Sequence, residues 1–128
     1  MKKRILIIDD DKELCEELAF ALTDEGYSVK TACNGSKGRQ MVLSGRQDVV
    51  LLDIGLPQIS GLEILKEAKE KKKDVKIIII TGDVMIVEKL SKKECAQDEK
   101  CSTLKLADAV MGKPIDMSLL IKKIEEMN

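Results

Sequence analysis

Four short apolar runs in this chain each end on a polar group able to do chemistry. Ile5–Ile8 runs into Asp9 and Asp10, Val49–Leu52 into Asp53, Ile77–Ile80 into Thr81, and Ala109–Gly112 into Lys113. Apolar runs of this length, alternating with helix-like segments, form a parallel sheet covered on both faces. In an open α/β sheet, ligands bind at the carboxyl ends of the strands. Asp9, Asp10, Asp53, Thr81 and Lys113 would then share one shallow pocket. Three carboxylates, a hydroxyl and a lysine suit a divalent cation and a phosphoryl group held on an aspartate.

The segments between the runs support this layout. Asp11 to Glu25 places Leu14, Leu18, Ala21 and Leu22 on one helical face, with Asp11 as the cap and Gly26 as the stop. Tyr27 to Ala32 alternates like an edge strand, and Asn34-Gly35 turns the chain. A helix over Ser36 to Leu43 is weakened by Gly38. Asp48 to Leu52 reads as the third strand. A loop with Pro57 and Gly61 leads to a helix from Leu62 to about Lys72, with Leu62, Leu65 and Ala68 inward. Val75–Ile80 and Asp108–Gly112 are the last two strands, and Met117–Met127 is the last helix, with Met117, Leu120, Ile121 and Ile124 inward. The stretch Gly82 to Ala107 carries the weakest pattern.

Composition narrows the function. The 128 residues fit one domain, and 44% hydrophobic content supports a packed core. Net charge is −1, from 22 basic and 23 acidic residues, so no general attraction to nucleic acid or anionic membrane is expected. No apolar stretch has the length of a membrane span, and no signal peptide precedes the first acids, so a cytoplasmic location is expected. Cys15, Cys33, Cys95 and Cys101 form no CxxC pair and are expected to be free thiols. The chain has no histidine, which excludes Ser-His-Asp and Cys-His catalysis and a phosphohistidine carrier role.

The acids set the chemistry. Clustered carboxylates repel unless a cation holds them together. Magnesium takes oxygen ligands, and Asp10 and Asp53 could supply them, with Asp9 acting directly or through water. A carboxylate can also attack phosphorus. Asp53, on the central strand, is the best placed nucleophile. Lys113 would offset charge on the far side, and Thr81 would donate its hydroxyl. Each of the two prolines lies near a proposed site residue, and a cis Lys113–Pro114 bond would suit an ammonium aimed into the pocket.

These residues resemble the receiver domain of two-component response regulators in its single-domain form. The matching signatures are Ile7-Ile8-Asp9-Asp10-Asp11, Leu52-Asp53-Ile54-Gly55-Leu56-Pro57 through Gly61, Ile80-Thr81-Gly82 and Lys113-Pro114. The resemblance covers nearly all of 1–128, apart from about Val84 to Thr103. It implies a flavodoxin-like, doubly wound α/β fold, a five-stranded parallel sheet in order 2-1-3-4-5 with five helices. It implies Asp53 as phosphoacceptor, Asp9 and Asp10 as the acidic pair that organises Mg2+ (or Mn2+ in its place), and Gly55 as a backbone ligand to the metal. Thr81 and Lys113 would sense the phosphoryl group, and Gly82 would leave room for it. The implied donor is a sensor histidine kinase or a phosphotransfer protein. The output would be contact with an unknown downstream protein, a homodimer through the helix 4–strand 5–helix 5 face included. The chemistry would be self-phosphorylation and autodephosphorylation at Asp53 rather than turnover of an external substrate.

Two features depart from that pattern. Val110 stands where most members carry an aromatic residue, and valine has almost no rotamer swing to couple. The segment between Thr81 and Lys113 is longer by roughly ten residues, about three turns if helical. This insertion, about 90–103 in the helix-four region, is polar and reads as an extended helix, a solvent loop or a partner-specific surface. A phosphate-independent interaction module with the same fold is the alternative. An aspartyl-phosphate phosphatase of the dehalogenase type would need a second aspartate where Gly55 stands.

Overall fold

The computed structural model describes residues 3–56, 60–72, 74–83, 85, 87, 88 and 99–127. Five strands, β1 (Arg4–Ile8), β2 (Ser28–Ala32), β3 (Val49–Asp53), β4 (Lys76–Thr81) and β5 (Ala109–Gly112), pair in parallel in the order β2-β1-β3-β4-β5. The helices with bounds are α1 (Lys12–Asp24), α2 (Gly35–Ser44), α3 (Gly61–Lys71), α4 (Glu99–Leu104) and α5 (Met117–Glu126), and Met85, Val87 and Glu88 are also helical, between β4 and α4. This is the doubly wound fold expected from the sequence.

The two-residue period of a strand explains why the runs are apolar throughout. Leu6, Ile8, Val50, Leu52, Ile77 and Ile79 face one layer, where Val42, Ile64, Leu65, Ala68 and Leu104 meet them. Ile5, Ile7, Val49, Leu51, Ile78 and Ile80 face the other, against Cys15, Leu18, Leu22, Leu120 and Ile124. Nearly all are below 2% exposed, and burying one such side chain stabilises the fold by about 2 kcal/mol.

The helix ends follow local chemistry. Asp11, Asn34, Ser60 and Asp116 cap α1, α2, α3 and α5, each accepting a backbone N–H of the first turn. Asn34-Gly35 is therefore a cap and first helical residue rather than a turn. Gly26, at φ 99°, closes the end of α1 as expected. Gly38, which weakened the helix prediction, has a packing reason: a Cβ there would stand 2.6 Å from Ile8 Cγ2. Helix propensity gives way to the close approach of α2 to β1.

A polar clamp ties α3 to the strands beside it. Lys69 Nζ donates to the Val75 carbonyl at 2.9 Å and to Asp108 Oδ2 at 2.6 Å, and that oxygen also accepts the Ile77 N–H at 2.8 Å. Pro57 and most of the insertion at 90–103 lie outside the described residues. From Glu99 the chain is helical again. No helix among the described residues is long and apolar enough to cross a membrane.

Candidate functional site

β3 lies at the centre of the sheet, with β1 and β4 as its neighbours. Its last residue is Asp53, in register with Ile80, one position before Thr81. Ile8, the last residue of β1, pairs with Leu52, so Asp9 and Asp10 leave the sheet beside Asp53. Thr81 pairs with Gly112, which delivers Lys113 to the same edge. The topology thus gathers Asp9, Asp10, Asp53, Thr81 and Lys113 from four strands.

Asp9, Asp10 and Asp53 each offer a carboxylate oxygen, and the three oxygens lie within 4.8 Å of one another. Asp9 is fully buried, Asp53 is 6% exposed and Asp10 faces solvent. Asp9 Oδ1 accepts the Asp11 N–H at 2.9 Å, and Asp53 Oδ1 accepts the Gly55 N–H at 2.9 Å. Lys113 Nζ stands 2.9 Å from Asp9 Oδ2 and 3.5 Å from Asp53 Oδ2. The Lys113–Pro114 bond is cis. Thr81 Oγ1 accepts the Asp83 N–H at 3.0 Å, which leaves its own O–H as a donor.

The charges respond to this crowding. Burial raises the Asp53 pKa, and the charges of Asp9 and Asp10 add to it, while the Gly55 N–H and Lys113 oppose them. Burial works to lower the Lys113 pKa, but its bond to Asp9 and the charges of Asp53 and Asp9 outweigh that, and the net shift is upward.

A divalent cation fits the donor set. The acids supply hard oxygens, and among the described residues the buried Asp9 Oδ2 is met by the Lys113 ammonium alone. One ammonium facing three carboxylates leaves net negative charge, which a cation at the open, Asp10 side would offset. Gly55 is positioned by its bond to Asp53, and a Cβ at Gly82 would meet nothing within 4 Å.

The sequence reading named two further residues, Gly61 and Cys15, without giving them a supporting role at the site. Gly61 begins α3, and a Cβ there would stand 2.6 Å from both the Asp53 carbonyl oxygen and Ile54 Cα. The signature that ends on Gly61 marks the position, and the close approach is its physical reason. Cys15 donates its thiol to the Asp9 carbonyl at 3.3 Å, and burial pushes its pKa up to about 12, which keeps it a donor. Here a signal existed: Cys15, Leu18 and Leu22 fall on one helical stripe.

A cleft of about 360 Å³ lies at the opposite edge of the sheet, lined by Arg4, Arg46, Asp48, Lys72 and Val75 among others. Among the described residues it gathers no metal-ligating set, and Arg4 is paired with Asp48. Clustered charge rather than cleft volume makes the carboxyl edge the candidate site.

The family model of the response regulator receiver domain matches residues 5–125. The chain belongs to this family. The receiver is 34% identical over 110 residues to the transcriptional regulatory protein DltR of Streptococcus agalactiae, covering 86% of this chain and 49% of DltR. It spans about half the length of the curated relatives it matches. Among solved structures, it is similar to the response regulator TrrA of Thermotoga maritima in complex with Mg2+ and BeF, at 35% identity, full coverage of both chains (100% each) and a TM-score of 0.81. It is equally similar in sequence to the complex of TrrA with the histidine kinase ThkA, at 35% identity over 99% of this chain and 98% of that one, with a TM-score of 0.78. This receiver has Val110 half-buried against the core and in register with Ile79, so an aliphatic residue fills the position where an aromatic one is usual.

Proposed function

We propose that this receiver takes a phosphoryl group onto Asp53 in a Mg2+-dependent reaction and that this controls its contacts with other proteins. The convergence of Asp9, Asp10, Asp53 and Lys113 at one sheet edge carries the reading. An Asp53 oxygen attacks phosphorus, and the bond from phosphorus to the donor's leaving group breaks. With a phosphohistidine donor that bond is P–N, and the imidazole leaves with the electron pair. Lys113 balances the new negative charge as a point charge, and the Thr81 hydroxyl donates to a phosphoryl oxygen. The Asp53–Gly55 bond holds the carboxylate in place while it reacts. Asp9, Asp10, Asp53 and the Gly55 carbonyl would hold Mg2+, with Mn2+ as a substitute, and the metal would supply positive charge to the phosphoryl oxygens.

The donor in this proposal is a histidine kinase or a phosphotransfer protein, in line with the TrrA–ThkA complex. The output is protein contact through the helix 4–strand 5–helix 5 face, helix 4 being the one that follows β4, a homodimer included, with the insertion at 90–103 as its distinguishing surface. Mass spectrometry after acetyl phosphate and Mg2+ tests the reading. A phosphoryl adduct on Asp53 that requires the metal and vanishes in Asp53→Asn supports it. An unlabelled, folded wild-type protein would instead favour a phosphate-independent interaction module.

A further inference from the structure

We propose that Cys15 and Cys33 form an oxidisable dithiol, and that its closure to a disulfide weakens cation binding at the neighbouring acids. Both thiols are free. Cys15 lies in the first turn of α1, 2% exposed, with its Sγ 3.3 Å from the Asp9 carbonyl. Cys33 directly follows β2. The carbonyl of the preceding Ala32 accepts the Asp9 N–H at 3.2 Å, which sets Cys33 beside the same residue. Ala32 faces the α2–α3 layer, so strand alternation turns the next residue, Cys33, toward the α1 layer in which Cys15 is buried. They therefore meet from separate elements, directly behind the acid loop.

Their exposure sets the order of reaction. Cys33 is partly exposed and Cys15 is buried. With a glutathione-type disulfide as oxidant, the Cys33 thiolate attacks one sulfur, forming a mixed disulfide and releasing one glutathione thiolate. Cys15 then attacks the Cys33 sulfur, and its proton passes to the departing second glutathione thiolate. The protein loses two electrons and two protons, and the oxidant becomes two thiols. Once bonded to Cys33, Cys15 has no proton to donate, so the buried Asp9 carbonyl loses its thiol donor. Partners behind a metal ligand tune its affinity.

The coupling to the cation rests on the site reading above; the disulfide does not. The test uses the full chain carrying Cys95→Ser and Cys101→Ser, incubated with oxidised glutathione and mapped by mass spectrometry without reduction. A Cys15–Cys33 cross-linked peptide is expected, and Cys15→Ser in that background should stop at a glutathione adduct on Cys33. A wild-type Cys15–Cys33 pair that stops at that adduct, or does not react, overturns the proposal. Calorimetric Mg2+ binding should be about tenfold weaker in the oxidised form. Equal affinity in the two forms overturns the coupling. Absence of binding in both overturns the cation site, and the coupling with it, while the cross-link stands on its own mapping.

Discussion

A methyl group on Gly61 would stand 2.6 Å from the carbonyl oxygen of Asp53. The helix that follows the central strand is thus pressed against the backbone of the proposed phosphoacceptor. The neighbouring atoms are backbone, which cannot swing aside. Gly61→Ala should destabilise the fold by about 2 kcal/mol, as overpacking does. Urea unfolding measures it, and a loss within a few tenths of a kcal/mol would show that the junction can shift.

Lys113 balances a carboxylate that has no access to water. Lys113→Ala leaves Asp9 Oδ2 buried without its counter-ion. The expected loss is about 2 kcal/mol, below the range for a fully buried pair because Lys113 keeps 28% side-chain exposure. The folded Lys113 pKa is raised, so its contribution is complete below the ordinary 10.5 and is lost as pH rises through the higher folded value. Unfolding at neutral pH and in alkali should show the gap between wild type and variant closing at high pH.

Asp53 carries the opposite sign. Its folded pKa is raised above the ordinary 3.8, mainly by burial, so the folded state holds the proton more tightly. Stability falls as pH rises from 3.8 through the folded value and stays reduced above it. Without divalent cations, Asp53→Asn should melt higher than wild type at neutral pH, and the advantage should vanish below 3.8. Millimolar Mg2+ should raise the melting temperature of wild type and much less that of the variant. An equal rise in both would remove Asp53 from the cation site.

Asp48 anchors the start of the sheet. Its Oδ2 accepts the Arg4 N–H at 2.7 Å, and that bond holds its pKa below the ordinary 3.8. The stabilisation is present above 3.8 and disappears as pH falls through the lower folded value. Acid unfolding of Asp48→Ala should therefore diverge from wild type at neutral pH and converge with it in strong acid. A constant gap across that range would assign the effect to packing.

The sequence by itself determined the strands, their order by resemblance, and the identities of Asp9, Asp10, Asp53, Thr81 and Lys113. An apolar run ending on a charged group is a local pattern, and burial on both faces of a sheet writes it directly into the chain. Tertiary structure alone decided that Asp9 is fully buried while Asp10 is exposed, and that one ammonium serves both Asp9 and Asp53. It also decided that Gly38 is required by Ile8 on another element and Gly61 by the backbone at the end of the preceding strand, and that Cys15 and the end of β2 both hydrogen-bond Asp9. These are relations between elements brought together by packing. Such distances depend on how helices seat against the sheet, and no periodicity within a single segment encodes them.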